Sequence, residues 1–183
     1  MPDAIDVKTI VVLADCHIHP GGGVEWDDAA LAAFLGADLI VTLGDMGERA
    51  GLDALAAIAP VIGVRGADDE DDERTAPRTR VLEAGALRIG CVFDAVAAGL
   101  TNGTKSPIEV SADAATAAFG GPIDVLLWAS THIPSIERTG GRVIVNPGSA
   151  MLPDAGAPRS FARLTLEAGA VDAEIVSIGV GAP

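Results

Sequence analysis

The sequence predicts an α/β fold with a parallel sheet in its N-terminal half. Three observations carry this. Short apolar runs rich in β-branched residues recur at 9–14, 39–43 and 61–64, the pattern of strands buried on both faces. Between them, 27–35 and 52–59 carry apolar residues at helical spacing. The order is therefore β-α-β-α-β, which right-handed crossovers close into a parallel sheet. The 183 residues are 49% hydrophobic and 21% charged, so one domain, 1–183, can hold a core without staples.

The elements follow in order. The run at 9–14, Thr-Ile-Val-Val-Leu-Ala, is the strongest strand. The helix at 27–35 leads to a second strand at 39–43, and the helix at 52–59 is ended by Pro60 before the third strand at 61–64. The second half changes character. Segments 80–83 and 87–93 flank Ala84-Gly85-Ala86, a hairpin signal. An Ala-rich helix is expected at 112–119 and a buried strand at 123–128. The strand at 142–145 ends in Asn146-Pro147-Gly148, and 160–166 and 171–178 make a last antiparallel pair. The acidic stretch 68–73 has no apolar period and reads as a solvated loop.

Charge narrows the function classes. Twenty-six acids stand against 12 bases, for a net charge of −14. Such a field repels polyanions and argues against coating nucleic acid. A phosphate substrate remains compatible where a bound cation supplies local positive charge. No apolar run reaches the ~18 residues of a membrane-spanning helix, and the N-terminus lacks the basic region of a secretory signal. The expectation is a soluble, cytoplasmic protein with no membrane partner. Cys16 and Cys91 are too few for a disulfide framework and read as reduced thiols.

The polar residues of interest follow the ends of the buried strands. Asp15 and His17 follow the first, Gly44-Asp45 the second, Gly66 to Asp69 the third, and Ser130-Thr131-His132 the strand ending at Trp128. In open α/β sheets, ligands bind outside the carboxyl ends of the strands, so these groups can converge. Two residues apart in an extended chain, Asp15 and His17 share one side. Asp45 adds a second carboxylate, and His132 can complete a four-ligand set. Two carboxylates balance a divalent cation, and two imidazoles favour Zn, Mn or Fe over Mg or Ca.

These segments, Asp15-Cys16-His17, Gly44-Asp45, Val64-Arg65-Gly66, Thr131-His132 and Asn146-Pro147-Gly148-Ser149, resemble the ordered motifs of the metallophosphoesterase superfamily. The resemblance spans roughly residues 9 to 178 and is greatest to its small prokaryotic phosphodiesterases and to the metallophosphoesterase-like subunit of eukaryotic retromer. It implies a four-layer α/β/β/α sandwich of two mixed sheets, with a two-metal centre between the loops. It also implies that the Asn-Pro-Gly-Ser turn supports the metal loops.

The departures fall on one metal site. The family pattern has Gly-Asn where Gly66-Ala67 stand, His-Gly-His where Phe93-Asp94-Ala95 stand, and Gly-His-Thr-His where Ala129-Ser130-Thr131-His132 stand. The first metal keeps Asp15, His17, Asp45 and His132, while the second loses its Asn and both its His. The resemblance thus implies a one-metal derivative with one divalent transition metal per chain. Two metals clamp both the attacking and the leaving oxygen of a phosphoryl displacement; one metal would act more weakly. Arg65 could stand in as a phosphate clamp, or serve as a salt-bridge partner for the acids that follow it. Asp68, Asp69 or Asp94 could rebuild a second site, or belong to solvated loops.

Other residues receive simpler readings. His19 is expected as an exposed loop histidine rather than a ligand or proton donor. Cys16 points away from its neighbours by alternation and should pack in the interior. Trp128 is expected in the core. The stretch 103–106 is a near miss to a phosphate-binding loop. Two functions fit: a weak single-metal phosphoesterase acting on a small phosphoester, or a non-catalytic binding protein that kept the fold, with a protein partner or a second copy of the chain.

Overall fold

The structure is a computed structural model that describes residues 2–101, 110–154 and 156–179. The stretch 103–106 lies outside the described residues.

The N-terminal half alternates as its apolar pattern predicts. After a two-residue strand β1 (Asp3–Ala4) come β2 (Thr9–Leu13), α1 (Asp28–Ala33), β3 (Leu39–Thr42), α2 (Arg49–Ala56) and β4 (Val61–Gly63). Strands β2, β3 and β4 pair in parallel. Asp27 caps α1 by accepting from the Ala30 amide at 2.8 Å, which satisfies one of the orphan donors of a helix start.

The second half begins with the hairpin β5 (Thr79–Ala84) and β6 (Leu87–Val92), then α3 (Ala112–Phe119) and β7 (Val125–Leu127). It continues through β8 (Pro134–Thr139), β9 (Arg142–Pro147), β10 (Ser160–Glu167) and β11 (Ala170–Ser177). Ser111 caps α3 and Gly120 closes it in the left-handed conformation, with φ 70°.

The strands form two mixed sheets. One has the order β1-β5-β6-β7-β9-β8 and the other β11-β10-β2-β3-β4. Their period of two sorts the core into layers. From β2, Ile10 and Val12 face the other sheet, where they meet Leu82, Ile89, Val125, Leu127 and Val145. Val11 and Leu13 point outward, packing with Ile40 and Phe161 against Ala30 and Phe34 of the α1 region and Leu52 and Leu55 of α2. On the far side Leu126, Trp128 and Ile144 pack against Ala115 and Phe119 of α3. The result is the four-layer α/β/β/α sandwich, and continuous apolar runs were the sign of strands covered on both faces.

Several elements differ from expectation, among them the two-residue strand β1, which no apolar run marks. The helix α2 starts at Arg49, ahead of the expected 52, because its first turn holds the polar Arg49 and gives no apolar period. Strand β8 was not foreseen: it is an edge strand opening with Pro134 and carrying Glu137 and Arg138, with no buried position, and edge strands need no apolar run. Among the described residues no helix is long and apolar enough to cross a membrane.

Candidate metal centre

Five loops meet at one end of the sandwich, each leaving the carboxyl end of a parallel strand. The first two stay paired beyond their strands: the Asp15 amide donates to the Gly44 carbonyl at 3.0 Å and the His17 amide to the Asp45 carbonyl at 2.9 Å. Gly44 and Gly66 allow the next contact. A Cβ on Gly44 would lie 2.6 Å from the Gly66 nitrogen and 2.8 Å from Phe93 Cδ2. A Cβ on Gly66 would strike the Asp45 amide and carboxylate.

The backbone here is strained. Asp15, His17, Asp45, Ser130 and His132 have φ of 53°, 48°, 50°, 75° and 56°. Side chains other than glycine rarely adopt this region, and such residues cluster where function demands a fixed geometry. Ala168, in the β10–β11 turn, is the one other non-glycine of positive φ among the described residues.

The four residues Asp15, His17, Asp45 and His132 are brought together. Asp15 is fully buried; its Oδ2 accepts from the Ser130 amide at 3.1 Å, while its Oδ1 has no hydrogen-bond partner. His132 Nδ1 lies 2.6 Å from the Leu152 carbonyl. A carbonyl only accepts, so Nδ1 carries a proton, and in the neutral ring Nε2 is then the lone-pair donor. That Nε2 is 3.8 Å from Asp15 Oδ1. His17 is arranged alike: Nδ1 is 2.7 Å from Asp68 Oδ2, and Nε2 is 3.9 Å from Asp45 Oδ2. Asp45 Oδ1 accepts from the amides of Ala67 and Asp68 at 2.6 and 2.9 Å, which leaves Oδ2 to the centre.

These atoms fit a cation. The ligand atoms of Asp15, His17 and His132 lie within 4.8 Å of one another. Separations of 3.8 and 3.9 Å are too long for hydrogen bonds. They suit two donors each ~2.0–2.2 Å from a shared ion. An unpaired carboxylate oxygen in the interior is costly unless something positive meets it. Burial pushes the Asp15 carboxyl up to about 6, with Asp45 adding to the rise and His132 opposing it.

The Asn146-Pro147-Gly148-Ser149 turn joins the loops. Buried Asn146 donates to Thr131 Oγ1 at 3.0 Å. Ser149 Oγ donates to the Asp15 carbonyl at 2.7 Å and accepts from the Leu152 amide at 2.8 Å. The turn thereby fixes both Asp15 and the carbonyl that holds His132.

The acidic stretch 68–73 is a largely exposed loop, as expected, but several of its carboxylates are engaged. Asp69 accepts from the amides of Asp45, Met46, Gly47 and Gly66. Asp72 forms a two-pronged ion pair with Arg74. Asp68 bonds His17 and also His19, whose Nε2 is 2.8 Å away; His19 is a loop histidine with its side chain 38% exposed, as expected, and Glu48 lies 3.5 Å from its Nδ1. Asp94 caps the turn after β6 through the Val96 and Ala97 amides. Apart from the Asp72–Arg74 pair, two residues apart, these contacts had no sequence signal, because the partners are distant in the chain or are backbone groups.

Arg65 stands apart. Its guanidinium pairs with Asp71 and donates to the Asp69 carbonyl. It lines a pocket of about 570 Å³ with Arg49, Asp71, Asp72, Glu73, Arg74 and Ala76, which includes none of the four candidate ligands. Phe93 packs against the inter-sheet core beside Gly44. Cys16 and Trp128 are interior residues, as expected, although Asp15 and His17 have φ of 53° and 48° and the segment is not the extended chain on which the alternation argument for Cys16 rested.

Residues 9–169 match the calcineurin-like phosphoesterase superfamily domain. A probable metallophosphoesterase of Methanothermobacter thermautotrophicus is 31% identical over 172 residues, covering 93% of this chain and 92% of its own. A predicted phosphoesterase of Streptococcus pneumoniae superposes with a TM-score of 0.64 at 18% identity, covering 94% of this chain and 91% of that one. Vps29 of Entamoeba histolytica, solved in complex with zinc, superposes with a TM-score of 0.64 at 20% identity, covering 93% of this chain and 99% of that one.

Proposed function

The chain belongs to the calcineurin-like phosphoesterase superfamily, and from that premise we propose that it is a phosphoesterase working with one divalent transition cation, Mn, Zn or Fe, held by Asp15, His17, Asp45 and His132. The observation that carries this reading is the buried, partnerless Oδ1 of Asp15 facing the His132 Nε2 lone pair. Two carboxylates with two neutral imidazoles suit such an ion better than Mg or Ca. When bound, the cation would polarise a phosphoryl oxygen and lower the pKa of a water.

The chain's own groups do the positioning. The Ser130 amide and Ser149 fix Asp15, the Leu152 carbonyl fixes His132, and the Ala67 and Asp68 amides fix Asp45. Asp15, Asp45, Asp68 and Glu48 make the surroundings acidic, which favours a singly charged phosphodiester over a doubly charged monoester. Arg65 could clamp the substrate phosphate only by leaving Asp71, and an exposed ion pair of that kind holds weakly. Ala67, Phe93 and Ser130, in place of the family's donors, argue for weak activity. Cys16 and Cys91 are both buried and unbridged, in keeping with a reducing cytoplasm.

A second reading is a binding protein that kept the fold. It is favoured by Phe93, which packs against the inter-sheet core beside Gly44, and by Ile133 and Leu152, 49% and 41% exposed, beside His132. Such an apolar rim suits a protein partner, as likeness to a Vps29 would allow. One experiment separates the two: elemental analysis after reconstitution with Mn or Zn, beside hydrolysis of bis(p-nitrophenyl) phosphate. One metal with hydrolysis supports the enzyme. One metal without hydrolysis supports the binding protein. No metal overturns the site and the enzyme together.

A further inference from the structure

We infer that Asp68 is a positioning residue that sets the tautomer of His17 and strengthens it as a metal ligand, with His19 steadying Asp68. This rests on the one-metal reading above. The geometry closes a circuit. Asp45 Oδ1 accepts from the Asp68 amide at 2.9 Å, so the carboxylate that faces His17 also anchors the backbone of Asp68. From that anchor Asp68 Oδ2 reaches His17 Nδ1 at 2.7 Å. The carboxylate can only accept, so Nδ1 carries a proton, and in the neutral ring the Nε2 lone pair faces Asp45 Oδ2.

The comparison with His132 shows what the charge adds. There a neutral carbonyl, that of Leu152, takes the Nδ1 proton. His17 has a carboxylate in that place, and a charged acceptor raises the donor strength of the opposite nitrogen. Asp68 is 42% exposed on its side chain and would otherwise sample several rotamers. His19 Nε2, 2.8 Å from the same oxygen, holds it toward His17.

A rival would place a second cation among His17, His19 and Asp68, whose ligand atoms also lie within 4.8 Å of one another. The distances decide against it. At 2.7 and 2.8 Å the nitrogen and oxygen atoms sit at hydrogen-bond length. Two donors each ~2.0–2.2 Å from one ion stand about 3 Å apart or more. His17 would also have to lose both ring protons to serve two cations. A proton, not a metal, belongs between these atoms.

The test uses the full chain with Asp68→Ala and Asp68→Asn. Ring nitrogen shifts of His17 are read by proton–nitrogen NMR in metal-free protein near pH 8, and Zn(II) binding by titration calorimetry. Wild type should show the Nδ1–H tautomer. Asp68→Ala should lose that preference and bind Zn(II) about 10–100-fold more weakly, with stoichiometry unchanged. Asp68→Asn keeps an accepting oxygen without the charge, so it should keep the tautomer and lose part of the affinity; it also serves if the alanine variant fails to fold. Unchanged ring shifts and affinity in both variants overturn the inference while leaving the metal centre standing. A fall from two bound ions to one shows that Asp68 is a ligand of a second cation. If wild type binds no Zn(II), the metal-centre reading fails, and the metal-free shifts still decide whether Asp68 sets the tautomer.

Discussion

The imidazoles of His17 and His132 stack with ring centroids 5.4 Å apart and planes 14° from parallel. They come from opposite sheets of the sandwich. Each ring is tethered through Nδ1 to its own loop partner, Asp68 or the Leu152 carbonyl, and each turns Nε2 to a carboxylate. Two rings held in this way form one side of the proposed donor set.

Loss of either a buried carboxylate or the opposite imidazole should empty this set. His132→Ala and Asp15→Ala are each expected to weaken Mn(II) or Zn(II) binding by at least 100-fold in titration calorimetry, because three donors leave an incomplete shell. His19→Ala keeps all four donors and should cost only a few-fold. Equal losses in the three variants would show that the wrong imidazoles were chosen.

Gly66→Ala tests the contact between the second and third loops. The new Cβ would meet the Asp45 amide and carboxylate, both already fixed by hydrogen bonds. Overpacking of this kind costs about 1–3 kcal/mol, and the shift of Asp45 should reduce metal affinity as well. Chemical denaturation and metal titration of the same variant check both. Wild-type affinity would show that Asp45 can yield without leaving the centre.

The loop ion pair predicts a pH dependence. The Arg74 guanidinium beside Asp72 pulls its carboxyl from 3.8 down to about 2. A lowered folded-state pKa stabilises above the unfolded value and loses that stabilisation as pH falls through the folded one. Asp72→Asn should therefore cost about 1–2 kcal/mol at pH 7, and the gap to wild type should close between about pH 4 and 2. A gap that persists at pH 2 in urea melts would assign the loss to packing.

The proposed loss of a second metal site can be challenged by Ala67→Asn, Phe93→His and Ser130→His together. The backbone positions remain, held by Gly66 against Asp45 and by Ser130 against Asp15. The triple variant should bind a second cation and hydrolyse phosphodiesters faster, since two ions bridge the attacking and leaving oxygens. It should melt lower without metal, because an imidazole replaces Phe93 against the inter-sheet core. Two bound metals with no gain in hydrolysis would favour the binding-protein reading.

The layers were legible because burial on two faces leaves a continuous apolar run, as in Ile10 to Leu13 and Val125 to Leu127. The residues brought together at the strand ends were legible for a related reason: parallel strands aim their carboxyl ends one way. Strand β8 was not, since a half-buried edge with Glu137 and Arg138 resembles a loop. Nor was the work of Asp68 and Asp69. Their partners are two histidines from another loop and four backbone amides, and no spacing within 68–73 encodes either.

Asp15, His17 and Asp45 hang from the sheet that contains β2 and β3, whereas His132 hangs from the sheet that contains β7. An ion gripped by all four would rivet the two halves of the sandwich at one end. Ligands that bind only the folded state lower the population of opened forms in proportion to their occupancy, and proteases cut those opened forms. The metal supply would then set how long each molecule survives, whether or not it ever turns over a substrate.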